Sequence, residues 1–214
     1  MFNAILSPDN LKIADEILQW AQNYLTQENV HIKRPVGSQA VCPFVGPSIE
    51  NNSFFMVFHN DVIGRSEEQI EGIILGYISP FKKLGPYGNN DKLRKALLVV
   101  FPNIPKDQTH VLDIVHANIK SKFVEAGLMV GQFHENCDER GIYNRAFRVS
   151  ISPYPLMAIR HMAIHDILFL GATEDWFKCY NLRYGEKFNR PETIEDYNKH
   201  LVEYYIKAKE RFLR

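Results

Sequence analysis

Stripes of apolar residues at helical spacing alternate along the chain with short, continuous apolar runs. Ser7-Pro8-Asp9 combines a capping hydroxyl, a proline suited to the first helical position and an acid where the helix dipole favours negative charge. Leu11, Ala14, Leu18, Ala21 and Leu25 follow at spacings of three and four and predict an amphipathic helix to about Thr26. Ser66-Glu67-Glu68-Gln69 reads as a capping box, continued by Ile70, Ile73, Ile74, Tyr77 and Phe81 and ended by Pro86 and Gly88. A third helix opens near Asp107, sets Leu112, Val115, Ile119 and Phe123 on one face, and reaches Gly127 as a left-handed C-cap. Thr173-Glu174-Asp175 caps a helix burying Trp176, Phe177, Tyr180 and Tyr184. Asn189 and Glu192 cap a last one that uses Ile194, Tyr197, Leu201, Tyr204 and Ala208.

The continuous runs predict strands. Residues 53–59, SFFMVFH, suit a central strand buried on both faces, and 97–101 a second buried strand closed by Pro102. Strands at 128–133, 147–151 and 156–162 follow in quick succession. This order predicts an α+β fold, a largely antiparallel sheet of about five strands covered by helices, as a single domain over residues 1–214. From His31 to Asn52 no period is visible. The Pro and Gly content there predicts a long irregular loop, ordered because Val41, Phe44 and Val45 need burial.

Composition narrows the partners. The 25 basic and 25 acidic residues cancel, so nothing draws the chain to nucleic acid or to an anionic membrane. No apolar run reaches the roughly 18 residues needed to span a bilayer, and the N-terminus lacks a basic segment followed by an apolar one. Three cysteines without CxxC spacing argue against a disulfide framework and a cysteine zinc site, and suggest a reducing cytoplasm.

Candidate chemistry concentrates between Gly127 and Asp166, where three histidines, one cysteine and four arginines lie among apolar runs. His134 follows a glycine-containing strand and precedes a polar loop, where an open sheet presents reactive groups. His161 and His165 are four apart, but Met162 stands where an HExxH motif has its glutamate, which excludes that metalloprotease and leaves a metal pair open. His110 and His116 read as surface residues of the third helix. Cys42, before Pro43 on a constrained loop, has three readings: a nucleophile activated by a histidine or cation, an axial ligand to heme iron, or an inert thiol packed by Val41 and Phe44. Cys137 and Cys179 read as inert. Arg145, Arg148 and Arg160 suit carboxylates or phosphates, including heme propionates, or pair with Glu135, Asp138, Glu139 and Asp166. No Walker loop, GxGxxG turn or GxSxG elbow occurs.

The segments RPVGSQAVCPFVGP, ALLVVFP, KFVEAGLMVGQFH and FRVSISPYPLMAIRHM, within roughly 34–170, resemble a family of uncharacterised bacterial proteins of unknown function found near natural-product biosynthetic genes. More distantly, the order of a cysteine-containing loop, a VVF strand, a helix and a strand pair ending in Pro and Arg is similar to the YqcI/YcgG type of heme-dependent amine N-oxygenase. That resemblance implies heme, with Cys42 or a histidine on the iron, Arg148 and Arg160 on the propionates, and the other histidine handling protons.

The loop must bury Val41 and Phe44 against a polar strand end, so Cys42, His134, Arg148, Arg160 and His161 are expected around one pocket. The function expected is a small-molecule-modifying enzyme, foremost a heme-dependent oxygenase of an amine or similar metabolite. The alternatives are a heme-free enzyme with Cys42 activated by His134 or His161, and a non-catalytic metabolite- or partner-binding protein. Tyr204, Tyr205 and Phe212 exceed what one buried stripe uses and point to a homodimer.

Overall fold

Four strands form one mixed sheet in the computed structural model, which describes residues 7–64, 66–85, 92–190, 192 and 194–213. They are β1 (Phe54–Phe58), β2 (Ala96–Val100), β3 (Leu128–Phe133) and β4 (Leu156–His161), in the order β1-β2-β4-β3. β1 and β2 run parallel, while β4 is antiparallel to both β2 and β3. The α+β class holds, with four strands where about five were expected and one parallel pair in a sheet expected to be largely antiparallel. The parallel pair follows from the crossover through α3 (Glu67–Gly76) and α4 (Ile78–Lys83), since parallel neighbours need a long return connection.

The predicted strand at 147–151 does not form. Its backbone folds onto the preceding loop, with Val149 N donating to Glu139 O at 2.9 Å and an isolated bridge between Arg140 and Arg148. Phe147 and Val149 pack beside the end of the first helix instead of joining the sheet. β1 is also not central. It is an edge strand, and all five of its residues are half-buried, whereas Leu97 to Val100 of β2 are fully buried.

Successive strand residues face opposite layers. Leu97, Val99, Leu128, Val130, Met157 and Ile159 pack under α3, α4 and α5 (Val111–Glu125), while Leu98, Val100 and Leu156 pack under α1 (Pro8–Trp20). Ser7 caps α1 by accepting from Asn10 N at 3.2 Å, as predicted. The predicted stripe holds at Ala21 and Leu25, but within α1 it is turned by about one residue, with Ile17 enclosed and Leu11 exposed. The Trp20 indole explains the turn: its N–H donates to Ile151 O at 3.0 Å, which faces that side of the helix inward. A π-helical turn, Ala21–Leu25, extends α1 toward the loop from 31 to 52.

That loop is ordered, and Arg34 is the reason. Its guanidinium donates to Ser38 O, Ala40 O and Val41 O, and Gln39 bonds back to the Arg34 backbone. The loop ends in α2 (Val45–Glu50), which had not been expected. The helix predicted to run through Phe81 breaks at Tyr77, since Pro80 in the following turn has no N–H with which to continue the ladder. Pro86 and Gly88, expected to end it, lie outside the described residues.

Past β4 come α6 (Ile167–Leu170), α7 (Glu174–Asn189) and α8 (Leu201–Phe212), closing a further core around Phe177, Tyr180 and Leu201. Tyr205 and Phe212 belong to that core, so of the three aromatics expected to mark a dimer only Tyr204 is exposed. Among the described residues no helix is long and apolar enough to cross a membrane.

A candidate metal centre

The antiparallel pairing of β3 and β4 decides which predicted site residues meet. Leu128 lies opposite His161, and Phe133 lies opposite Leu156. The C-terminal ends of the two strands are therefore at opposite ends of the sheet, and about six residues of strand put His134 roughly 20 Å from His161. The single pocket expected around Cys42, His134, Arg148, Arg160 and His161 does not form.

Cys42 and Arg160 do come together, on the α1 side. The Arg160 guanidinium stacks on Phe44 at 4.3 Å and binds Asp166 through two hydrogen bonds, 2.8 and 2.6 Å, with Asp166 fully enclosed. Burial alone would lower the Arg160 pKa, but Asp166 and the nearby Cys42 raise it on balance. His165 meets Phe44 edge-on at 6.1 Å, whereas the His161 ring lies on Phe81 on the other side of the sheet. The two histidines thus do not form the metal pair, because the chain turns at Ile164–Asp166 as soon as β4 ends. These residues do not fit heme either. Arg160 is committed to Asp166 and Phe44, Arg148 lies in the loop segment bridged to Arg140, and His161 lies across the sheet from Cys42 and at the other end of it from His134.

His134 has different partners. Its Nε2 lies 3.2 Å from both carboxylate oxygens of Asp113, in the first turn of α5. Cys137 Sγ is 3.9 Å from Asp113 Oδ1, and one donor atom from each of Asp113, His134 and Cys137 fits within 4.8 Å of the others. Local backbone makes this arrangement. Leaving β3, the chain turns so that Cys137 N donates to His134 O at 3.2 Å, which brings both side chains over α5. Gln132 Nε2 donates to Asp113 Oδ1 at 3.2 Å and fixes the carboxylate from the strand side.

The electrostatics are those of a site with negative charge to spare. Cys137 is fully buried and its thiol is pushed up to about 11, first by burial and further by Asp113 and Glu139; the Glu139 backbone N–H, directed at the sulfur, opposes this. His134 is 1% exposed, with Nδ1 buried and unpartnered among the described residues. The Asp113 side chain, by contrast, is 42% exposed and opens with Gln132 into a cavity of about 360 Å³ walled by Asp138, Glu139, Arg140 and Arg145. Arg140 pairs with Asp138.

This donor set suits a divalent ion. Bonds of about 2.0–2.1 Å to nitrogen and oxygen and about 2.3 Å to sulfur put neighbouring tetrahedral donors about 3.3–3.6 Å apart, so the observed 3.2 and 3.9 Å need only small adjustments. A dication would draw the thiol proton off, and a thiolate, a carboxylate and a neutral imidazole would leave the buried site uncharged. The sequence reading reached His134 but missed Asp113 and Cys137. The spacing His134-x-x-Cys137 at a strand end was the available signal. His116, read as a surface residue, is mostly buried, and its Nε2 faces Val130 O at 3.1 Å.

Fold and cluster together define an α+β protein with a Cys/His/Asp donor set beneath a polar recess. The chain belongs to the family defined by a domain of unknown function, DUF6875, which it matches over residues 14–195. That span is wider than the expected 34–170 and takes in about half of α1 and all of α7. No curated protein and no solved structure matches the chain.

Proposed function

We propose that the protein is a metal-dependent enzyme acting on a small anionic metabolite, with Asp113, His134 and Cys137 holding a zinc-like divalent ion. The observation that carries this reading is the convergence of the three donors, two of them buried, directly beneath an open polar cavity. Three protein ligands with one side toward solvent is the pattern of a catalytic zinc site, where a structural site closes the fourth position with protein. Bound there, the ion would act as a Lewis acid toward an oxygen of the substrate. Arg145 supplies positive charge at the cavity wall for a carboxylate or phosphate, and Glu139 a carboxylate able to exchange a proton. Gln132 is a positioning residue that orients Asp113.

Heme-dependent oxygenation, the leading expectation from sequence, finds less support because its residues are spread over both faces of the sheet. A place near natural-product biosynthesis, and the cytoplasm suggested by three free thiols, belong to the proposal. Metal analysis of protein purified without chelators tests it. One zinc per chain, lost in Asp113→Ala and His134→Ala but kept in His161→Gln, is expected. A metal-free protein that binds hemin one-to-one and loses it in Cys42→Ala would overturn the proposal in favour of heme.

A further inference from the structure

At the other end of the sheet from the donor cluster, a second cavity of about 480 Å³ opens beside the end of β4. Lys82 of α4, Lys92, His161 and Arg183 of α7 supply its polar lining, and Leu93 and Met162 part of its apolar lining. No carboxylate is among the described residues that line it. Lys95, buried just behind, donates to Leu84 O and lies 5.0 Å from the Phe81 ring centre, so a further cation backs the same hollow.

These cations press on one another. His161 is pushed down to about 4, first by burial and then by Lys95, Lys92 and Lys82, and Lys95 is itself lowered by burial and by Lys92. The His161 Nε2 atom is buried and has no partner among the described residues. Arg183 is held in place by Cys179 O at 2.7 Å and Glu125 O at 2.8 Å, and it lies so close over Gly127 that a Cβ there would stand 2.6 Å from its Nε. The result is an anchored guanidinium, two exposed lysines and a neutral imidazole around a partly apolar recess.

We infer that this recess binds a small molecule bearing a phosphate group, the dianion lying among Lys82, Lys92 and Arg183 and accepting a hydrogen bond from His161, with the organic part on Leu93 and Met162. A group with two negative charges matches several cations that share one hollow, and guanidinium and ammonium donors are the usual phosphate partners. The site shares no residue with the proposed metal centre and stands or falls separately from it.

Phenyl phosphate is the probe, followed by the His161 ring signals in NMR at neutral and acid pH. The charged groups facing His161 are Lys82 from α4, Lys92 and Lys95 from the segment before β2, and Arg183 from α7, all positive. A bound phosphate, which keeps at least one negative charge across the whole titration, must therefore raise the His161 pKa from about 4. Saturable shifts with that rise, and affinity about tenfold weaker in Lys82→Gln and in Lys92→Gln, are expected. Both lysines are exposed, so the variants should fold. Absence of a saturable His161 shift up to about 10 mM phenyl phosphate overturns the inference, as does undiminished binding by the double variant. Benzoate binding as tightly as phenyl phosphate overturns the assignment to phosphate.

Discussion

Replacing Asp166 by asparagine removes the countercharge of a guanidinium that the fold has enclosed. Asp166 is fully buried and accepts from Arg160 Nη1 and Nη2 and from Ala163 N at 2.7 Å, while the Arg160 side chain is 21% exposed. Breaking one side of such a pair strands the other charge in a poorly solvated place, which costs about 3–5 kcal/mol. In a domain of this size that lowers Tm by roughly 10 °C. Replacing both partners by apolar residues, Arg160→Met with Asp166→Leu, removes the charge together with its partner and should recover most of the loss. Urea unfolding of wild type, Arg160→Met, Asp166→Leu and their double variant provides the cycle, with Asp166→Asn measured beside them. An Asp166→Asn protein within about 1 kcal/mol of wild type, or a double variant no more stable than the singles, would refute the assignment of Arg160 to structure and reopen it as a ligand-binding group.

Three further outcomes follow from the same geometry. His116 is pushed down to about 4, chiefly by burial, below the unfolded value near 6.5. The unfolded chain therefore binds the extra proton first, and stability present above about pH 6.5 is lost as pH falls toward 4, by up to about 3 kcal/mol from this group; urea midpoints at pH 7 and pH 4.5 should show this, and His116→Gln should remove its share and leave that of His161, pushed down to the same range. Gly127 has φ +75° and Arg183 against its open side, so Gly127→Ala should cost about 1–2 kcal/mol in chemical denaturation, and an unchanged midpoint would contradict the C-cap reading. In the metal-stripped protein Cys137, buried and raised to about 11, should alkylate at least about tenfold more slowly at pH 8 than half-buried Cys42 and Cys179, as peptide mass spectrometry would report.

Much of the fold was legible because its signals are local. The Ser7 cap, the apolar face of α5 and the positive φ of Gly127 are each set by a few neighbouring residues. The strand at 147–151 failed because an apolar run does not say whether its partner is the sheet or a loop, and here Glu139 O takes the Val149 N–H. β1 was misplaced to the centre for a related reason: aromatic residues on both faces record the layers above and below a strand, not whether both of its edges are paired. The site suffered most from non-local geometry. Both His134 and His161 end strands, but antiparallel pairing separates two such ends by a strand length. Asp113 resembled an ordinary first-turn helix acid, and only the packing of α5 on β3 shows that it meets Gln132 and His134.

Cobalt titration of the metal-stripped protein tests the metal centre most directly, since cobalt reports its own ligands by absorption. A zinc-like site using Cys137 should give a one-to-one endpoint with a near-ultraviolet thiolate-to-cobalt charge-transfer band and visible bands of tetrahedral strength. That charge-transfer band should vanish in Cys137→Ser, weaken with Asp113→Asn, and persist in Cys42→Ser and Cys179→Ser. Failure to bind cobalt stoichiometrically, or a charge-transfer band that survives Cys137→Ser and disappears with Cys42→Ser, would contradict the account.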